Sequence, residues 1–123
     1  MKAILTFVDR LKWRIIWSVA GIRDAWTHQP SFRSWIWANL VSAGLACWLP
    51  ISGGERAAIL ALGILVLAAE AMNTAIEYTV DYISTERHPL AGRAKDAASA
   101  GVFLTAIAAG AAWVVALWGL WAS

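Results

Sequence analysis

The stretch that decides the fold runs Ala57-Ala58-Ile59-Leu60-Ala61-Leu62-Gly63-Ile64-Leu65-Val66-Leu67-Ala68-Ala69-Glu70, continuing as Ala71-Met72-Asn73-Thr74-Ala75-Ile76-Glu77-Tyr78-Thr79-Val80-Asp81. From Ala57 to Ala69 it carries no charge, and beyond Ala69 neither Gly nor Pro interrupts it before Thr85. One helix from about Arg56 to Thr85 is therefore expected, long enough to cross a hydrocarbon core of about 30 Å and emerge on the far side. The polar residues within it are not scattered. At 100° per residue, Glu70, Asn73, Glu77 and Asp81 fall in an arc of roughly 80°. A carboxylate in hydrocarbon costs several kcal/mol, so such a ridge is retained when it works or is paired.

Two further apolar segments flank this one. Ser34 to Pro50 is uncharged, with Trp35 and Trp37 at one end and Trp48 at the other, as interfacial aromatic belts are placed. Ala97 to Trp121 is also uncharged and carries Trp118 and Trp121 near its end. Spans are thus expected over 34–50, 56–85 and 97–121. Glu86-Arg87-His88-Pro89 and Gly92-Arg93-Ala94-Lys95-Asp96 read as a loop between the last two. Upstream, Ile4, Val8, Leu11, Ile15, Val19, Ile22 and Trp26 recur at spacings of three and four. That predicts an amphipathic helix over 2–28, suited to the membrane surface; an ordinary soluble core helix is the rival reading. Thr27 to Ser31, with Pro30, ends it.

The whole composition agrees with a bilayer. The chain has 123 residues, one domain's worth, of which 60% are hydrophobic, with a mean hydropathy of +0.60 and nine Trp. A net charge of +2 is too small to argue for nucleic acid. Cys47 is the single cysteine, so no intrachain disulfide forms, and it reads as an inert apolar thiol. The charged residues of 1–28 leave no room for a secretory signal, so insertion is expected to rely on the internal segments. Six Lys and Arg precede the first span, Arg56 stands alone in the first loop, and Arg87, Arg93 and Lys95 populate the second. The positive-inside rule places the N-terminus and second loop in the cytoplasm and the C-terminus outside.

The chemistry open to the ridge follows from depth. Glu70 lies about 21 Å along the helix from Arg56, and Glu77 about 10 Å further, near the cytoplasmic boundary. Glu70 is placed to accept a proton, Glu77 and Asp81 to hold a hard cation such as Mg²⁺, and Lys95 to meet phosphate. Blander roles stay open here: Glu70 paired with a buried cation, Asn73 as interhelical glue, Asp81 as a solvated carboxylate, Arg93 and Lys95 as topology determinants, His28 and His88 as loop residues. Neither a G-x-x-x-x-G-K-[ST] loop nor a G-x-G-x-x-G loop is present.

Glu70-Ala71-Met72-Asn73-Thr74-Ala75-Ile76-Glu77, Val80-Asp81 and Gly92-Arg93-Ala94-Lys95-Asp96 followed by Ala98-Ser99-Ala100 resemble the bacterial diacylglycerol kinase family. Gly21-Ile22-Arg23, Ala25-Trp26 and Phe32-Arg33 are weaker matches, and the likeness runs from about Arg10 to Trp113. The resemblance implies an all-α membrane protein with a surface helix, three transmembrane helices and a homotrimer whose sites are shared between protomers. It implies transfer of the γ-phosphate of Mg-ATP to a lipid hydroxyl at the inner membrane, the lipid being diacylglycerol or, in a related branch, undecaprenol. It makes Glu70 the catalytic base, with Asn73, Lys95 and Asp96 as further catalytic positions. Arg10, Glu77, Glu86, His88, Lys95 and Asp96 become nucleotide positions. Arg10, Arg23, Trp26, Trp48, Glu70 and Ser99 become lipid positions, and Glu77 a metal ligand. Two departures stand out: Gln29 replaces a metal-binding Glu, and Trp35 replaces a second Glu six residues on. Trp17 also replaces a more polar aromatic. A Gln carbonyl can ligate Mg²⁺ but brings no charge, so weaker metal binding is expected. The rivals to lipid phosphorylation are a small proton-coupled transporter built on Glu70 and a catalytically inactive membrane scaffold.

Overall fold

The computed structural model describes residues 2–122, with side chains from Thr6 onward. The contributions expected of Lys2 and Ile4 side chains lie outside that range. Four helices follow in order: α1 (Lys2–His28), α2 (Pro30–Trp48), α3 (Gly53–Ile83) and α4 (Pro89–Ala122). Among the described residues there is no strand. Helices α3 and α4 are both long and apolar enough to cross a membrane. At 31 and 34 residues they measure about 46 and 51 Å.

The helix ends show why the chain breaks where it does. A single residue, Gln29, separates α1 from α2; it is extended, and Pro30 follows at the first helical position, where a missing N–H costs nothing. The Arg33 guanidinium returns to the end of α1, donating to the carbonyls of Trp26 (2.8 Å) and Thr27 (3.2 Å). Helix α3 opens on a capping box, in which Ser52 Oγ accepts from the Glu55 N–H while the Glu55 carboxylate accepts from the Ser52 N–H. Arg56 closes the α2–α3 turn, donating to the carbonyls of Ala46 (2.8 Å), Leu49 (3.3 Å) and Ile51 (3.4 Å). The first loop's lone cation is thus a structural clasp.

Helix α4 starts earlier than expected. The stretch 86–96 reads as a loop in sequence, yet helix begins at Pro89. His88 caps it: its Nδ1 accepts from the Leu90 N–H (3.2 Å), and its carbonyl accepts from the Gly92 N–H (3.1 Å). Proline at the first helical position is favourable, and one internal glycine costs only about 1 kcal/mol, which packing on α3 offsets. Lys95 and Asp96 are therefore helical, with fixed azimuths.

Helix α3 is the spine. It packs antiparallel to α4 along most of its length and to α2 through its first half and beyond. Side-chain contacts set both registers. Against α2, Asn39 meets Gly63 and Ser31 meets Glu70. Against α4, Glu55 lies by Gly119 at one end and Asp81 pairs with Lys95 at the other. Trp113 Nε1 donates to Ser42 Oγ (2.9 Å), tying α4 to α2. A small core of Ala46, Ile51, Ile59 and Ala116 closes the turn end.

Much of the apolar surface is uncovered. Ile64, Leu65, Phe103, Leu104, Val114 and Val115 are all more than half exposed on α3 and α4. Val8, Ile15, Val19 and Ile22 of the α1 stripe are too. Apart from Ala25, no described α1 side chain is buried, so α1 is not a core helix of this chain. Continuous apolar faces of this size suit lipid or another chain, not water.

Candidate active site

Glu70 lies in α3 and is 5% exposed. Among the described residues no Lys, Arg or His forms an ion pair with it, which removes the structural ion-pair reading. Its partner is the hydroxyl of Ser31, which donates to Glu70 Oε1. Ser31 is the second residue of α2, so the carboxylate sits at the positive end of that helix, where unpaired N–H groups favour an anion. The antiparallel register brings the two together across 39 residues of sequence. Thr74, one turn further along α3, is also buried.

Asn73 and Glu77, about one and two turns past Glu70, form a second group. Asn73 Nδ2 donates to Glu77 Oε1 (3.1 Å), while Asn73 Oδ1 is buried with no hydrogen-bond partner. An orphaned buried carbonyl costs about 1–3 kcal/mol, so a site that leaves one open invites a ligand. Among the described residues no cluster of three or more His, Cys, Asp or Glu could hold a metal alone. The amide oxygen and the neighbouring carboxylate still fit Mg²⁺, a hard ion commonly held by one or two carboxylates with phosphate oxygens completing the shell.

A third group lies beyond. Lys95 Nζ of α4 pairs with Asp81 Oδ1 of α3 at 2.6 Å. Both are partly exposed, so the pair contributes little to stability. It borders an open cavity of about 540 Å³ formed where the α3–α4 connection folds back, with Glu86, Arg87, His88 and Gly92 on its walls. Arg87, Lys95 and His88 line it together with the carboxylates of Asp81 and Glu86, so its cations are matched by acids unless a phosphate competes for them. Asp81 is eleven residues past Glu70, about 16 Å along the axis. The arc of polar residues read from sequence is therefore one ridge with different neighbours: α2 at Glu70, α4 at Asp81.

The remaining expected positions are dispersed. Asp96 and Ser99 are exposed on α4, and Arg10 and Arg23 on α1. Trp26 packs against Trp37, ring centroids 6.4 Å apart, at the α1–α2 corner. Trp48 is 80% exposed at the far end of α2, distant in the fold from the Glu70 end. Gln29 does not point its amide nitrogen at Glu77; it donates to the Tyr78 hydroxyl (3.4 Å), which donates to Asp24 Oδ2 (3.0 Å). His28 Nδ1 stands 3.0 Å from Asp24 Oδ1. This network fastens the end of α1 to α3. Sequence reading missed Ser31, Tyr78 and Asp24 as partners. Ser31 gave no signal beyond being polar at a helix start; Asp24 and Tyr78 are 54 residues apart and meet only through the fold.

The fold and this site define a class: an all-helical membrane protein built around a buried carboxylate that faces a hydroxyl instead of a cation. A family model described as prokaryotic diacylglycerol kinase matches residues 16–117. The chain is 39% identical over 102 residues to the diacylglycerol kinase of Escherichia coli K12, covering 83% of this chain and 84% of that one. It is 40% identical over 103 residues to the Pseudomonas aeruginosa diacylglycerol kinase (84% of each), and 35% identical over 97 residues to the Haemophilus influenzae one (79% and 82%). The chain belongs to the prokaryotic diacylglycerol kinase family, and is a membrane-bound lipid kinase.

Proposed function

We propose that the chain transfers the γ-phosphate of ATP to the free hydroxyl of diacylglycerol, giving phosphatidic acid, at the cytoplasmic face of the bacterial inner membrane. The observation that carries this reading is the buried Glu70, unpaired with any cation among the described residues, with an unpartnered amide oxygen within about one turn of it and a second carboxylate about two turns along. Helix α2, at 19 residues or about 28 Å, is the third span beside α3 and α4. The α1 stripe lies on the inner surface, the N-terminus is cytoplasmic and the C-terminus is outside. A homotrimer covers the outward apolar faces and completes each site.

In this reading Glu70 accepts the proton of the lipid hydroxyl as that oxygen attacks phosphorus. Glu77 and Asn73 Oδ1 would hold Mg²⁺, and the ion would supply positive charge toward phosphate oxygens. Lys95, released from Asp81 by a more highly charged phosphate, neutralises the transferred group. Glu86 and His88 line the nucleotide side, Asp96 steadies the same end, and Arg10 reaches it from the surface helix. Arg23, Trp26 and Ser99 contact the lipid substrate, whereas Trp48, at the other end of α2, meets only the surrounding bilayer. Gln29, where the family has Glu, would bring the metal an uncharged oxygen only by leaving Tyr78, so Mg²⁺ would bind more weakly than with a carboxylate there.

The test is label transfer from γ-labelled ATP to dioleoylglycerol, and in parallel to undecaprenol, by purified protein in micelles with Mg²⁺. Label should enter phosphatidic acid faster than undecaprenyl phosphate. Glu70→Gln should lower the rate by at least about 100-fold, the range of a lost general base. Faster undecaprenol labelling would transfer the assignment to that lipid. No label in either lipid, from this chain and from Gln29→Glu alike, would defeat the kinase reading.

A further inference from the structure

We propose that Ser31 is a positioning residue for Glu70, holding one carboxylate oxygen so that the other is left to the acceptor hydroxyl. This rests on the reading of Glu70 as base. The Ser31 hydroxyl donates to Glu70 Oε1, and the pairing joins the first turn of α2 to the buried stretch of α3. A Glu side chain has three rotatable bonds, and among the described residues Ser31 is the hydrogen-bond partner that restrains it. An ionised carboxylate has about four acceptor directions on two oxygens, so one hydroxyl donor fixes the plane without filling the site. The donor is itself fixed: Pro30 and the extended Gln29 start α2 immediately before Ser31, and Phe32 immediately after it is buried.

The consequence is chemical. A base whose oxygen wanders must be reoriented in each turnover, whereas a held carboxylate presents its free oxygen in a near-attack arrangement. The interaction also puts a hydroxyl dipole toward the charge of Glu70 in the same place where the first N–H groups of α2 do. Loss of Ser31 therefore weakens the step without weakening ATP or lipid binding, since neither ligand is asked to touch Ser31. Thr retains the hydroxyl at the same Cβ and can restore the bond; Ala cannot.

The experiment compares steady-state kinetics of the full chain with Ser31→Ala, Ser31→Thr and Glu70→Gln in micelles, using ATP and dioleoylglycerol, with each variant's melting temperature recorded. Ser31→Ala should lower kcat about tenfold with KM for both substrates within twofold. Ser31→Thr should recover most of kcat, although both variants melt close to the parent. If Glu70→Gln is inactive while Ser31→Ala keeps the parent kcat, the positioning role is wrong and the base stands. If Ser31→Ala instead raises KM at constant kcat, Ser31 belongs to a binding surface and the proposal is overturned. If Glu70→Gln retains activity, the base assignment fails first and this inference falls with it.

Discussion

Gly63 is where α2 and α3 come closest, and replacing it with Ala tests the register that carries Glu70 to Ser31. A Cβ built at Gly63 overlaps Asn39 Oδ1 and stands 3.2 Å from Asn39 Cγ. Two responses are open. Asn39 can rotate, which breaks its 2.9 Å bond to the Trp35 carbonyl, a loss of about 1 kcal/mol. Alternatively the helices separate, which loses packing along the seam; overpacking of this kind costs about 1–3 kcal/mol. Ala gains about 1 kcal/mol over Gly in helix propensity, so the net change should be a destabilisation of about 0–2 kcal/mol. Denaturant unfolding of the purified protein in micelles, followed by Trp fluorescence, reads this directly. Asn39→Ala removes the obstructing oxygen, so the double variant should recover at least the parent stability, gaining the propensity without the clash. Ser31 and Glu70 lie eight and seven residues from Asn39 and Gly63, two turns away on the same seam, so kinase activity should fall in Gly63→Ala and return in the double variant. A Gly63→Ala protein more stable than its parent by the full propensity gain of about 1 kcal/mol, or a double variant no better than the single one, would refute the register.

Two other outcomes follow from the same contacts. Gln29→Glu should lower the Mg²⁺ concentration for half-maximal label transfer by several-fold, because a charge replaces a neutral amide at the position the family resemblance assigns to the metal; an unchanged Mg²⁺ titration removes position 29 from the metal. Arg56→Ala should destabilise the fold by about 1–3 kcal/mol, since it strips the partner from three carbonyls at the α2–α3 turn, and Arg56→Lys should recover only part, a lysine lacking the planar fork; equal melting of parent and Arg56→Ala would show the clasp to be idle.

Several features were legible in the linear chain because they are properties of one helix at a time. The apolar run of 57–69, the stripe of α1 and the arc of Glu70, Asn73, Glu77 and Asp81 depend only on 3.6-residue periodicity and hydropathy. Helix ends were less legible. The stretches 86–89 and 92–96 read as loop, but Pro89 at a helix start, capped by His88, is a beginning. Trp48 was grouped with the lipid positions through resemblance alone, and the fold places it at the opposite end of α2 from Ser31.

By itself the sequence determined that the chain is helical, that three of its segments are apolar, two of them forming helices long and apolar enough for a bilayer, and that one polar ridge runs down α3. Those are consequences of composition and local period. Only the tertiary structure decided what each ridge residue faces: Ser31 for Glu70, an unfilled amide oxygen beside Glu77, Lys95 for Asp81, and Asp24 with Gln29 for Tyr78. The reason is that partners across antiparallel helices are set by how closely the backbones approach and where the turns begin. Gly63 against Asn39 and the Arg56 clasp fix both, and neither leaves a periodic trace in the chain.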